Sequence, residues 1–189
     1  MHTKIVENKH KVPVFWLLPD PHFGHYNIVK NNIRPQGYEE QILTFIKDHV
    51  KDNDVLICLG DYIFQNSAYW SDRFIEASNC RKWLTLGNHD HDTITWYLRH
   101  GFHAVADEIK LTIYGKVVLL SHIPITGRRD FDINIHAHLH KGQHRKDVPV
   151  NSKNINLFIE GHFTLFNLRA IVDRVNLTGY YDCYRHRIR

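Results

Sequence analysis

Short apolar runs, each closed by a polar cluster, alternate with stretches of helical period along the first half of the chain. Pro13–Leu18 (PVFWLL), Val55–Leu59 (VLICL) and Lys82–Leu86 (KWLTL) read as short strands, the second of them buried on both faces. Between them, Glu39–Val50 puts Ile42, Leu43, Ile46 and Val50 on one helical face, with acidic residues in its first turn. Ala68–Ser78 is amphipathic, and Thr93–His100 reads as a helix stopped by Gly101. The period then changes. Glu108–Ile113 alternates, Tyr114-Gly115-Lys116 forms a tight turn, and Val117–Ser121 returns as the second arm of a hairpin. Ile133–Ile135 and Asn156–Glu160 read as later strands, Gly142–Lys153 as a polar loop and Leu165–Val175 as a late helix. Strand–helix units followed by a hairpin predict an α/β protein with mixed sheets.

Composition narrows the class. At 189 residues, the whole chain (1–189) is most simply one domain with a substantial core. No apolar run approaches the roughly 20 residues that span a bilayer. The N-terminal MHTKIVENKHKV lacks the apolar core of a signal peptide. Three cysteines without metal spacing, one of them in the Val55 strand, suit a reducing, cytoplasmic setting. A net charge of +4 suits an anionic substrate without demanding nucleic acid.

The positions of the histidines matter more than their number. Asp20 and His22, Asp61, Asn88 and His89, His122, then His138 and His140 fall at the ends of successive apolar strands. Strand ends at one sheet edge converge in space, which is where open α/β sheets place ligands. In Asp20-x-His22 and His138-x-His140, residues two apart in extended chain would point the same way. Carboxylate, imidazole and one amide suit Mn, Fe, Zn or Ni, not an all-oxygen calcium cage or a thiolate zinc site. Two ions about 3.5–4 Å apart need a shared carboxylate, and Asp61 is the candidate.

Taken in order, Asp20-x-His22, Gly60-Asp61, Gly87-Asn88-His89-Asp90, His122 and His138-x-His140 resemble the five-block signature of calcineurin-like metallophosphoesterases. The small single-domain branch of bacteria and phages is resembled further in Phe23-Gly24-His25, Asn27 and Arg34-Pro35. The resemblance implies a four-layer α/β/β/α sandwich with two mixed sheets, the metallo-dependent phosphatase fold. It implies two divalent transition metals, Mn first, with Fe, Zn or Ni also suited. One would take Asp20, His22, Asp61 and His140; the other Asp61, Asn88, His122 and His138. His89 would touch phosphate and protonate the leaving oxygen. The chain departs from the pattern at Ala137, where a glycine is usual. Tyr62-Ile63-Phe64-Gln65 stands where the protein Ser/Thr phosphatases have a D-R-G ending, and the carboxylate that orients the histidine in that branch has no match here, a role left to Asp90.

The expected reaction is in-line attack of a metal-bridging hydroxide on a phosphomonoester or phosphodiester, with a small nucleotide the natural substrate. His25, Asn27 and Arg34 near the first block, Asn88 and His89, and the loop arginines Arg128 and Arg129 are the expected substrate contacts. His136 is an extra histidine, expected to be structural. A metal-dependent nuclease is the rival within the class, although no DNA-binding motif is present. From another class, the rival is a silent protein-binding scaffold, disfavoured because every ligand block is kept. No membrane partner is expected. The basic, aromatic tail Tyr180–Arg189 reads better as a packed terminal strand than as a nucleic-acid contact.

Overall fold

The computed structural model describes residues 12–142, 147–181 and 183. The N-terminal segment before Val12, residues 143–146 of the polar loop and most of the basic tail lie outside the described residues. Among those described, no helix is long and apolar enough to cross a membrane.

The first sheet is built from strand–helix units. β1 (Phe15–Leu18), the short α1 (Tyr26–Lys30), α2 (Tyr38–His49), β2 (Val55–Leu59), α3 (Ser67–Glu76), β3 (Arg81–Thr85), α4 (Ile94–Arg99) and β4 (Ala104–Ala106) follow one another. All four strands run parallel, as helical crossovers require. The second sheet begins with the hairpin of β5 (Glu108–Ile113) and β6 (Lys116–Ser121), to which β7 (Ile133–His136) and β8 (Asn154–Asn156) add in parallel. The hairpin turn puts Tyr114 and Gly115 at positive φ, the combination that matches strand twist in two-residue loops. The chain then returns to the first sheet as β9 (Phe166–Asn167), antiparallel to β1, and ends in α5 (Leu168–Thr178). The orders are β4-β3-β2-β1-β9 and β5-β6-β7-β8. The protein is thus α/β with two mixed sheets.

The core explains the strand choice. β2 is buried along its whole length, and Leu17, Leu56, Ile57, Val118, Leu120 and Ile135 join one apolar cluster spanning both sheets. At the entry to β2, buried Asp54 accepts hydrogen bonds from the Val14 and Lys51 amides and from the Trp16 indole, fixing β1 beside β2. Both sheets then deliver the carboxyl ends of their parallel strands to one place.

Two expected elements are displaced. Asn156–Glu160 is not a strand: pairing ends with β8 at Asn156, and Leu157–Glu160 is buried without regular structure. Continuous burial produced the strand-like pattern there. The late helix starts at Leu168, not Leu165. Phe166 and Asn167 pair with β1, and the Asn167 side chain accepts from the Ala170 amide as the N-cap. α1, β4 and β9 are too short to leave a period in the sequence.

Candidate metal centre

Gly60 ends β2 at φ +79° and turns Asp61 into the space between the sheets. A β-carbon on Gly60 would stand 2.5 Å from His122 Nδ1, so only glycine lets the end of β6 approach this turn. Asp61 Oδ1 accepts the His89 amide at 2.9 Å. Asp61 Oδ2 lies 3.4 Å from His122 Nε2 on one side and 3.6 Å from His22 Nε2 on the other. One oxygen therefore faces ligands from both sheets.

Among the described residues, two groups bring ligand atoms within 4.8 Å of one another: Asp20, His22 and Asp61, and Asp61, His122 and His138. Asp61 belongs to both. Asn88 completes the second group, its Oδ1 lying 3.0 Å from His122 Nε2, which is also 3.0 Å from His138 Nδ1. His140 stands beside the first group, its ring stacked 5.2 Å from that of His22.

The histidine tautomers follow from their outer partners. His122 Nδ1 donates to the Leu59 carbonyl at 3.0 Å, turning the Nε2 lone pair to the cluster. His140 Nδ1 lies 2.9 Å from Glu160 Oε1, which leaves its Nε2 as the donor atom. The residues fit divalent ions by a second criterion. Asp20 Oδ1 and both ring nitrogens of His22 are buried without a hydrogen-bond partner, an arrangement that costs free energy unless something fills it.

Electrostatics agree. Burial, outweighing nearby Asp61, holds His22 well below its ordinary pKa, keeping the imidazole neutral. Burial opposes ionisation of Asp61, but the His122 hydrogen bond and the His122 charge win and hold it ionised. His122, despite burial, is pushed up to about 9 by Asp61 and Asp20. Protein groups alone thus set opposite charges against each other where cations would replace the protons.

The ligand loops are not extended. Asp20, His22, Asp61 and His138 all take positive φ, between 43° and 65°. The expectation that each D-x-H or H-x-H pair projects from extended chain is corrected: single left-handed residues aim them. Such backbone is costly for non-glycine residues and is tolerated where the surroundings impose it. The ligands also come from two facing sheets, not one edge.

Other expected residues divide. His22, His25, Asn27, Asn88, His89 and His140 line one cleft of about 250 Å³ beside the ligands. Phe64 backs two of these residues, its ring stacked on His25 at 3.8 Å and lying 5.3 Å from the His89 ring. A roomier cavity of about 400 Å³, bordered by Lys116, Asp132, Lys153 and Tyr180, contains no candidate ligand. Arg34 is corrected: it is buried behind the cleft, held by Glu160 and the Pro21 carbonyl, and cannot reach a substrate. Arg128 and Arg129 lie elsewhere, with Asn151–Lys153, and Arg128 is paired with Glu108 and Asp130. Asp90 is corrected as well. Its Oδ2 accepts the Asp61 and Gly87 amides and its Oδ1 the Tyr62 amide, so it braces the ligand loop instead of orienting the His89 ring. Ala137 is buried, and its amide still bonds the His122 carbonyl, so the β-carbon is accommodated. His136 is buried, bonded to the Ala137 carbonyl and distinct from the ligand groups. Sequence reasoning did not find Glu160 or Tyr38, whose hydroxyl donates to the His22 carbonyl. The only signal for Glu160 was a lone acid closing the apolar run Leu157–Ile159.

No protein-family model matches the chain. Over 80 residues it is 38% identical to an uncharacterized protein, MJ1445, of Methanocaldococcus jannaschii, a stretch covering 40% of this chain and 46% of that one. The chain thus spans under half the length of that curated relative. The crystal structure of AQ665, a protein of unknown function from Aquifex aeolicus, superposes with a TM-score of 0.70 at 28% identity, over 87% of this chain and 100% of that chain. A novel archaeal phosphodiesterase superposes with a TM-score of 0.42 at 16% identity, over 76% of this chain and 82% of its own.

Proposed function

We propose that the chain is a dinuclear metal-dependent phosphoesterase of calcineurin-like type, acting on a small phosphomonoester or phosphodiester of nucleotide kind. The observation that carries this reading is Asp61 Oδ2, set between His22 and His122 and shared by both ligand groups. Asp20, His22 and His140 would complete one site, and Asn88, His122 and His138 the other. Ions held there, Mn2+ first among them, would lower the pKa of a bound water toward about 7 and offset the charge of phosphate. The chain's own residues do the rest. Asp61 and the Asn88 amide would set the spacing of the donors, and buried neutral His22 keeps one ring-nitrogen lone pair available. His89, exposed in the cleft and anchored through its amide to Asp61, is placed to give its ring proton to the departing oxygen. His25, its ring backed by Phe64, would give the remainder of a substrate a surface to rest on.

The test is hydrolysis of bis-p-nitrophenyl phosphate, p-nitrophenyl phosphate and a panel of cyclic, mono- and diester nucleotides, with and without Mn2+. Metal-dependent turnover lost in Asp61→Asn is expected. Hydrolysis of none of these esters by Mn2+-loaded protein would overturn the reading, and cleavage of single-stranded DNA alone would move it to a nuclease.

A further inference from the structure

Arg34 is among the largest fully buried side chains of the described residues, and its contacts gather on one half of the candidate metal centre. Its Nε and Nη2 donate to Glu160 Oε1 at 3.0 and 2.7 Å. The same oxygen lies 2.9 Å from His140 Nδ1. Arg34 Nη1 donates to the Pro21 carbonyl at 2.8 Å, between Asp20 and His22. The guanidinium also sits 5.1 Å from the ring centre of Tyr38, whose hydroxyl holds the next carbonyl, that of His22. Asp20 and His22 are the strained residues of this turn, at φ 43° and 48°. Arg34 therefore joins the two segments that carry Asp20, His22 and His140, from 126 residues away through Glu160. The second ligand group is held differently, by the Leu59 carbonyl on His122 and by Asp90 on the Asp61 loop.

We infer that Arg34 and Glu160 are positioning residues for one of the two ions only, the one taken by Asp20, His22 and His140; this rests on the metal-centre reading above. Glu160 fixes the His140 ring with Nε2 outward, in the way carboxylates orient ligating histidines. Arg34 holds the carboxylate in place and pins the strained turn. A burial-only role predicts something else: a buried ion pair exchanged for neutral side chains of similar volume leaves the fold intact and touches neither site.

The experiment titrates chelated full-length protein with Co2+, followed by visible absorption and by calorimetry. Wild type is expected to take up two ions. Glu160→Ala leaves the Arg34 charge buried without a partner and can unfold the chain, so the deciding variant is R34M/E160Q, which removes both charges together. It is expected to keep one Co2+ with wild-type affinity and spectrum, while the other binds about 10–100-fold more weakly. Two ions of wild-type affinity in R34M/E160Q would overturn the inference, as would equal weakening of both with unchanged far-UV circular dichroism. Uptake of no Co2+ by wild type would overturn the metal centre and this inference together. Two ions bound by wild type without ester hydrolysis would remove the phosphoesterase reading and leave this comparison standing.

Discussion

A β-carbon on Gly87 would stand 2.2 Å from Oδ1 of Asp61 and 2.3 Å from its backbone nitrogen. The Gly87-Asn88-His89 loop thus lies against the Asp61 carboxylate with no room between them. Gly87→Ala is expected to cost about 1–3 kcal/mol of stability through overpacking. Displacement of Asp61 by a fraction of an ångström to 1 Å should lower turnover ~100-fold. Thermal melts and steady-state kinetics with Mn2+ check both, and a variant with wild-type turnover would contradict the contact.

Asp90 makes a different kind of prediction. Its two oxygens take three backbone amides, at 2.8 and 2.9 Å. Asp90→Ala strands those amides and is expected to destabilise the protein by about 3 kcal/mol, read from urea unfolding. A residue orienting His89 would behave otherwise, losing activity on poor leaving groups with stability unchanged.

His89 should show that second pattern. Proton donation matters most when the departing oxygen is a strong base. His89→Ala is expected to slow alkyl phosphate esters more than nitrophenyl esters, with metal content unchanged by elemental analysis. Equal slowing of both ester types would rule out the acid role.

Asp20 ties the site to stability. Burial, opposed by His122 and His140, lifts its pKa to about 6 from 3.8. A raised folded-state value means the contribution is fully present below pH 3.8 and lost as pH rises through 6. At pH 7.5 the chelated Asp20→Asn protein, permanently neutral there, is therefore expected to be more stable than chelated wild type by about 2–3 kcal/mol. The gap should close as pH falls from about 7 to about 4. Mn2+ should raise the melting temperature of wild type more than that of the variant. A gap that widens on acidification would refute the assignment.

Arg128→Ala tests the distance of that loop from the chemistry. Its side chain is exposed and spent on Glu108 and Asp130, so kcat and KM are expected to stay within about twofold of wild type. A large rise in KM would return Arg128 to the substrate site.

Continuous apolar runs made three strands legible before any fold was known, together with the polar residues that close them. Val55–Leu59 read as a buried strand and is one, which puts Asp61 just past its carboxyl end, and short polar blocks after successive strands marked the candidate ligands in order. Local pattern reaches as far as the residues that make it. It did not reach β9, two residues long, or the irregular run Leu157–Glu160, because burial from all sides looks alike whatever the backbone does. Tertiary structure alone decided which charges were free. Arg34 had the chemistry of a phosphate contact and lost it to Glu160, a partner 126 residues away. Asp90 likewise turned to backbone amides that only the packed loop presents. The physical reason is common to both: a charge buried in a low-dielectric interior must find a partner, and which partner lies near is set by the fold, not by neighbouring residues.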